Sequence, residues 1–374
     1  MLKDEVSSRI EILRFPLIVG VVFIHTFSST AGLAHGRVGA GNSATWQEFV
    51  PFFISNGLAR IAVPLFFMIS GYLFFQGEWS REKYMSKLKR RVHTLLIPYL
   101  FWNVATLAFF AVAQSIPQTS IYFSNIVWPP IRAFALFDYV NALFGITVIY
   151  PIAFQFWFIR SLMVLVICAP VIHYFLARKW LELPFTIVMF GLWFFVNKPG
   201  PSVVLLAAFF FCFGAYLAGE GKNVTCLDKY GLWISSLFCG ALILRTVFQD
   251  SRIPFDKLVV VAGVPSIWWL MGQVSRAPKL KSLLLSPSGA SFFVFAAHEP
   301  LLTVSRKIIF RFLAPTSGAA ILAVYFLVPT CIIAFLVVLH GALQKIMPSL
   351  LEVITGSAVR ARKHHAEDTV HAQG

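Results

Sequence analysis

Long apolar runs, parted by short polar or turn-forming stretches, organise the whole chain. Runs near the length needed to cross ~30 Å of hydrocarbon fall at 14–30, 56–76, 94–114, 156–176, 183–197, 201–218, 230–248, 257–273, 289–305 and 318–343. This pattern predicts about ten transmembrane helices in an all-α, polytopic integral membrane protein. The fifth and sixth runs are separated only by NKPGP, whose proline and glycine predict a tight turn between two helices rather than a kink in one. The longest stretches outside the runs are 31–55 and 115–155, the second carrying aromatic and proline clusters such as VWPP that suit a folded lid or a re-entrant segment. Residues 1–355 read as one membrane domain. Residues 356–374, with His364, His365 and His371, read as a basic, disordered cytoplasmic tail.

Composition agrees with the pattern. Hydrophobic residues make up 58% of the chain and charged residues 13%, against about a quarter charged in soluble domains, and the mean hydropathy is +0.76. A formal charge of +15 would suit nucleic acid, but the basic residues sit in short clusters between apolar runs, so membrane topology explains them and no nucleic-acid partner is expected. REKYMSKLKRR, after the second run, holds six Lys or Arg against one Glu, whereas the loop before the fourth run holds one Arg and one Asp. The basic loop is therefore placed in the cytoplasm, and alternation predicts that both termini are inside. RKIIFR (306–311) is the exception, since it would face outward. Five cysteines without a C-x-x-C pair, four of them in apolar segments, argue against a disulfide framework or a metal site. The residues before Arg14 mix both charges, unlike the cationic start of a secretory signal, so the first run is expected to be a retained anchor.

Polar residues inside the runs are the candidates for chemistry, because ionisable groups are costly in hydrocarbon. His25 lies eleven positions after Arg14, which on a helix is ~16 Å of rise and ~20° of rotation. The two share a face, with His25 near the midplane if Arg14 lies at the cytoplasmic headgroups. His298 in FFVFAAHEPLL lies at a similar predicted depth on another helix, where Pro300 predicts a bend. The two histidines can therefore meet; the plainer readings are an interfacial anchor, a hydrogen-bonded helix contact and a helix end. HEP is not H-E-x-x-H, so a zinc protease is excluded. Ser70 and Gly71 interrupt a bulky run and read either as close helix packing or as a placed hydroxyl. Arg60, Asn103, Trp157 and Arg160 lie within or at the outer ends of their runs, as interfacial anchors or as aromatic faces and donors for a sugar. The basic segment 77–93 reads as an interfacial helix or as a landing site for a phosphate-bearing cofactor.

Taken in order, these elements resemble a known family. Arg14 with ten residues before His25, FFMISGYLFF, a basic cluster running into LLIPYLFW, FWFIRSLMVL, FFFCFGAYLAG and HEPLL are similar to the membrane acyltransferase 3 family over about residues 9–343. The resemblance implies transfer of an acyl group, usually acetyl from cytoplasmic acetyl-CoA, to a hydroxyl of a surface or exported glycan or its lipid-linked precursor, in a bacterial inner membrane. It implies that Arg14 and His25 are the essential pair, that Arg90 and Arg91 stand near the donor's phosphates, and that His298 matches a recurring histidine–proline element. One departure is Thr94, where members often carry a further arginine. Another is the lack of a C-terminal SGNH-type esterase domain, so transfer is expected to be completed by the membrane domain itself or with glycan-assembly partners.

Together these readings predict that His25, reached by the pantetheine arm from inside and by a sugar hydroxyl from outside, acts as the base. Its unperturbed pKa of ~6.5 suits that task. Arg14 is too far from it to pair and is assigned to the CoA end. Ser70, Arg60, Trp157, Arg160 and Asn103 are the expected acceptor-side residues, and membrane lipids are the surrounding partners. A relay through an acyl-histidine or acyl-serine stays open. The competing reading is a transporter for a glycan or small polar solute, which would typically show repeated halves; none is found.

Overall fold

The computed structural model describes residues 2–34, 46–123, 128–249 and 253–357, so the C-terminal tail and part of the VWPP cluster lie outside the described residues. The described residues are mainly helical, joined by turns and irregular stretches, with no strand among them. In order come α1 (Leu2–Ala34), α2 (Trp46–Phe52), α3 (Ala62–Phe75), α4 (Arg81–Arg91), α5 (Ile97–Ser115) and α6 (Pro117–Phe123). Then follow α7 (Leu136–Phe144), α8 (Trp157–Ile167), α9 (Ala169–Leu176), α10 (Lys179–Phe195), α11 (Pro201–Leu217) and α12 (Gly231–Val247). The last five are α13 (Phe255–Ser275), α14 (Pro278–Leu285), α15 (Ser291–Phe312), α16 (Gly318–Ile346) and α17 (Pro348–Thr355). They group into two compact units, Met1–Ser80 with Val164–Ala334, and Arg81–Met163 with Phe335–Gly374.

Among the described residues, seven helical stretches are long and apolar enough to cross a membrane, and α8 with α9, bent by 58°, makes an eighth if counted as one span. Two of the ten predicted runs become α10 and α11, of 17 residues each. Seventeen residues rise ~26 Å, short of the ~30 Å of a hydrocarbon core, which is why the structural count is lower. The turn at NKPGP is present: α10 ends at Phe195, and Gly200 takes a positive φ of 86° just before α11. The predicted bend in the ninth run is also present, with Glu299 leaving helical geometry (φ −105°, ψ 139°) inside α15. RKIIFR is no outward loop; it continues α15, and Arg306 within it has no exposed surface.

In the first unit α1 packs on α13 and α15, and α3 packs on α11. The α3–α11 contact depends on two glycines. A Cβ at Gly71 would strike the Phe211 carbonyl, and one at Gly214 would strike the Met68 carbonyl, so the two backbones touch directly. Near the N-terminus the fully buried Arg9 donates to Glu5 Oε1 at 2.7 Å, to the Asp228 carboxylate and to the Trp268 carbonyl at 3.3 Å. Gly272 leaves the room for this guanidinium; a Cβ there would lie 2.5 Å from it. A charge without exposed surface needs such multiple partners to offset its desolvation.

In the second unit the stretch before α8 folds against α5 around its own small core. Trp128, Ile131, Ala142 and Ile152 are buried together, backed by Leu107 and Phe110 of α5. Gln114 fastens it, accepting from the Ile131 N–H at 2.8 Å and donating to the Phe123 carbonyl at 3.0 Å. The basic segment after the second run forms α4.

The last turn of α10 would leave carbonyls without donors. Lys257, on α13, closes it: its Nζ donates to the carbonyls of Trp193 (2.8 Å), Phe194 (2.7 Å) and Val196 (3.1 Å). Lys257→Met strands these carbonyls, and the expected loss is about 1–3 kcal/mol, read as a lower unfolding temperature of the detergent-solubilised protein. Lys257→Arg is expected to lose less. An unchanged unfolding temperature in Lys257→Met would remove this capping role.

Candidate functional site

The first unit brings two of the predicted residues together. His25 stands half-buried on α1, and His298 is fully buried on α15 one residue before the break at Glu299. Their rings stack with centroids 5.3 Å apart and planes 26° from parallel. His298 Nδ1 lies 2.7 Å from the Phe295 carbonyl. A carbonyl only accepts, so Nδ1 carries the proton, and in the neutral ring Nε2 is left with its lone pair. That Nε2 is buried and has no hydrogen-bond partner among the described residues. The pair therefore offers an imidazole nitrogen able to accept a proton inside an apolar bundle.

Arg60 is exposed in the short turn Leu58–Ile61, donates to Asn56 Oδ1 at 2.7 Å, and stands within electrostatic range of His25. Arg14 is exposed on α1, which runs unbroken through both Arg14 and His25, so the ~16 Å separation expected from helical rise holds. Ser70 is half-buried on α3 beside Gly71, in the helix whose close packing on α11 has been described.

The remaining candidates belong to the second unit. Arg90 is exposed and Arg91 half-buried at the C-terminal end of α4. Asn103 is fully buried, donating to the Tyr99 carbonyl at 2.8 Å and accepting from the Ala153 N–H at 3.2 Å. Arg160 donates to the carbonyls of Phe144 (2.9 Å), Gly145 (3.0 Å) and Ile149 (2.7 Å). Asn103 and Arg160 thus fasten the backbone of the stretch before α8. Trp157, half-buried, opens α8.

Sequence reasoning passed over several polar residues close to the pair. Glu299 follows His298, is buried, and accepts from Thr303 at 3.1 Å. Arg306, seven residues on, lies within electrostatic range of Glu299 and donates through Nη1 to the carbonyl of Thr26, the residue after His25. Ser55 and Tyr325 meet the same turn of α1 from other helices. The available signal was the spacing of Glu299 and Arg306, which places them two helical turns apart on one face.

The ExoH protein of Rhizobium meliloti (strain 1021), named for succinoglycan biosynthesis, is similar to this chain, with 26% identity over 381 residues that cover 98% of this chain and 97% of that protein. No solved structure matches the chain. A family model described as an acyltransferase domain matches residues 7–339, a span that contains Arg14, both histidines and the intervening helices, and the chain therefore belongs to the acyltransferase 3 family.

Proposed function

We propose that this protein is a multi-pass O-acyltransferase of the bacterial inner membrane, with both termini cytoplasmic. In this reading it moves an acyl group, most simply acetyl, from cytoplasmic acyl-CoA to a hydroxyl of an exported polysaccharide or its lipid-linked precursor. The stacked His25–His298 pair carries the reading, since a transferase of this class needs a base where donor and acceptor meet. Membership of an acyltransferase family supports the reaction type, and the similarity to a succinoglycan biosynthesis protein supports a polysaccharide acceptor.

In the proposed step His25 takes the proton as the acceptor oxygen attacks the thioester carbonyl. The C–S bond breaks as the new C–O ester bond forms, and the imidazolium returns the proton to the departing CoA sulfur. The uncommitted lone pair on His298 Nε2 supports a second assignment, with His298 as the base and His25 orienting it. The donor's phosphates call for arginine forks. Arg14 is the candidate at the cytoplasmic end of α1, and Arg90 and Arg91 are candidates on α4.

Purified protein given radiolabelled acetyl-CoA and oligosaccharide acceptors tests this. Wild type is expected to transfer label, and His25→Ala to lose about 10²- to 10⁴-fold in rate. Transfer that persists in His25→Ala but vanishes in His298→Ala would move the base to His298. Release of no CoA with any acceptor would exclude the enzyme. Arg14→Ala is expected to raise the donor KM about tenfold, corresponding to about 1.4 kcal/mol, with a smaller change in kcat; a pure kcat effect would remove Arg14 from donor binding.

A further inference from the structure

Polar side chains from three other segments converge on the turn of α1 that carries His25. Ser55, fully buried in the π-helical segment Phe53–Gly57, donates its hydroxyl proton to the Phe23 carbonyl at 2.6 Å. Ser55 has no second proton to give, so the contact of 2.6 Å between its Oγ and the Tyr325 hydroxyl is a bond donated by the tyrosine. Tyr325 has no exposed surface and sets its ring edge-on to Phe23, centroids 5.5 Å apart. Arg306 donates through Nη1 to the Thr26 carbonyl. Thr26 Oγ1 in turn donates to the Val22 carbonyl at 2.9 Å.

The carbonyls of residues 22, 23 and 26 bracket His25. Each carbonyl oxygen has two lone pairs, so each can accept a side-chain donor in addition to the helical N–H. A guanidinium with no exposed surface in a membrane-spanning bundle is expensive. Arg306 lies on α15 with His298 and within electrostatic range of Glu299, and its bond to Thr26 ties that helix to the turn that carries His25.

We propose that Arg306, together with Ser55 and Tyr325, is a positioning residue that fixes the depth and rotation of the His25 turn and so holds its imidazole against His298. The assignment rests on the proposed reading of the histidine pair as the reaction centre. It concerns residues with no exposed surface, and it acts through backbone carbonyls rather than through the imidazole itself. A displacement of the reacting group by about 1 Å is enough to cost on the order of 100-fold in rate.

The test uses the full chain and four variants: Arg306→Met, Arg306→Lys, Tyr325→Phe and Ser55→Ala. Tyr325→Phe and Ser55→Ala leave the buried charges intact, which keeps the test informative if Arg306→Met fails to fold. Carbethoxylation of His25 by diethylpyrocarbonate, followed by peptide mass spectrometry, reports the environment of the imidazole without any turnover. Arg306→Met and Tyr325→Phe are expected to change that rate several-fold and to lower kcat about 10- to 100-fold, with the donor KM held within about twofold. Arg306→Lys, whose ammonium still reaches a carbonyl, is expected to recover most of both. Unchanged carbethoxylation and kcat in Arg306→Met and Tyr325→Phe would overturn the proposal. So would losses that follow the unfolding temperature in every variant, Arg306→Lys included. If His25 reactivity moves as expected while wild type transfers no acyl group, the positioning role stands and the acyltransferase reading falls.

Discussion

A backbone carbonyl in hydrocarbon has no water to turn to, and the polar residues of this chain are arranged around that constraint. At several places where a helix ends or is held against a neighbour, a side chain distant in sequence donates to its carbonyls. Lys257 does so at the end of α10, Arg160 along the stretch before α8, and Ser55 and Arg306 on α1. Cations that would be surface anchors in a simpler reading are drawn inside because they bring several donors at once. The apolar packing then closes over them.

The same arrangement explains why the two histidines differ. His298 sits in a fully buried stretch of α15, its Nδ1 held by a carbonyl of its own helix. His25 is half-buried, so it is the more accessible ring of the pair. In the proposed reaction this division of exposure gives one ring contact with substrate and leaves the other as its rigid backing.

Much of the helical framework was legible in the sequence, because period, length and turn residues are local properties. The NKPGP turn, the basic helix α4, the bend beside His298 and the tight contact at Gly71 all follow from residues within a few positions of the feature. The meeting of His25 with His298 was legible because two depths could be compared along helices of known rise. Arg306 was not. Its partner carbonyl lies 280 positions away, and a basic residue flanking an apolar run looks the same whether it faces headgroups or a neighbouring helix. The backbone partners of Asn103 and Arg160 were hidden for the same reason, since residue type and depth do not say that the stretch before α8 will fold back onto them. The ten runs read from apolar character and the seven or eight spans counted among the described residues differ at α10 and α11, where apolar character continues but the helices are short.

The glycine contacts between α3 and α11 have a mechanical side. With Gly71 seated on the Phe211 carbonyl and Gly214 on the Met68 carbonyl, the two backbones mesh like gear teeth and neither helix can slide or roll past the other without a collision of main-chain atoms. A motion of the first unit that keeps this contact carries α3 and α11 together as one beam.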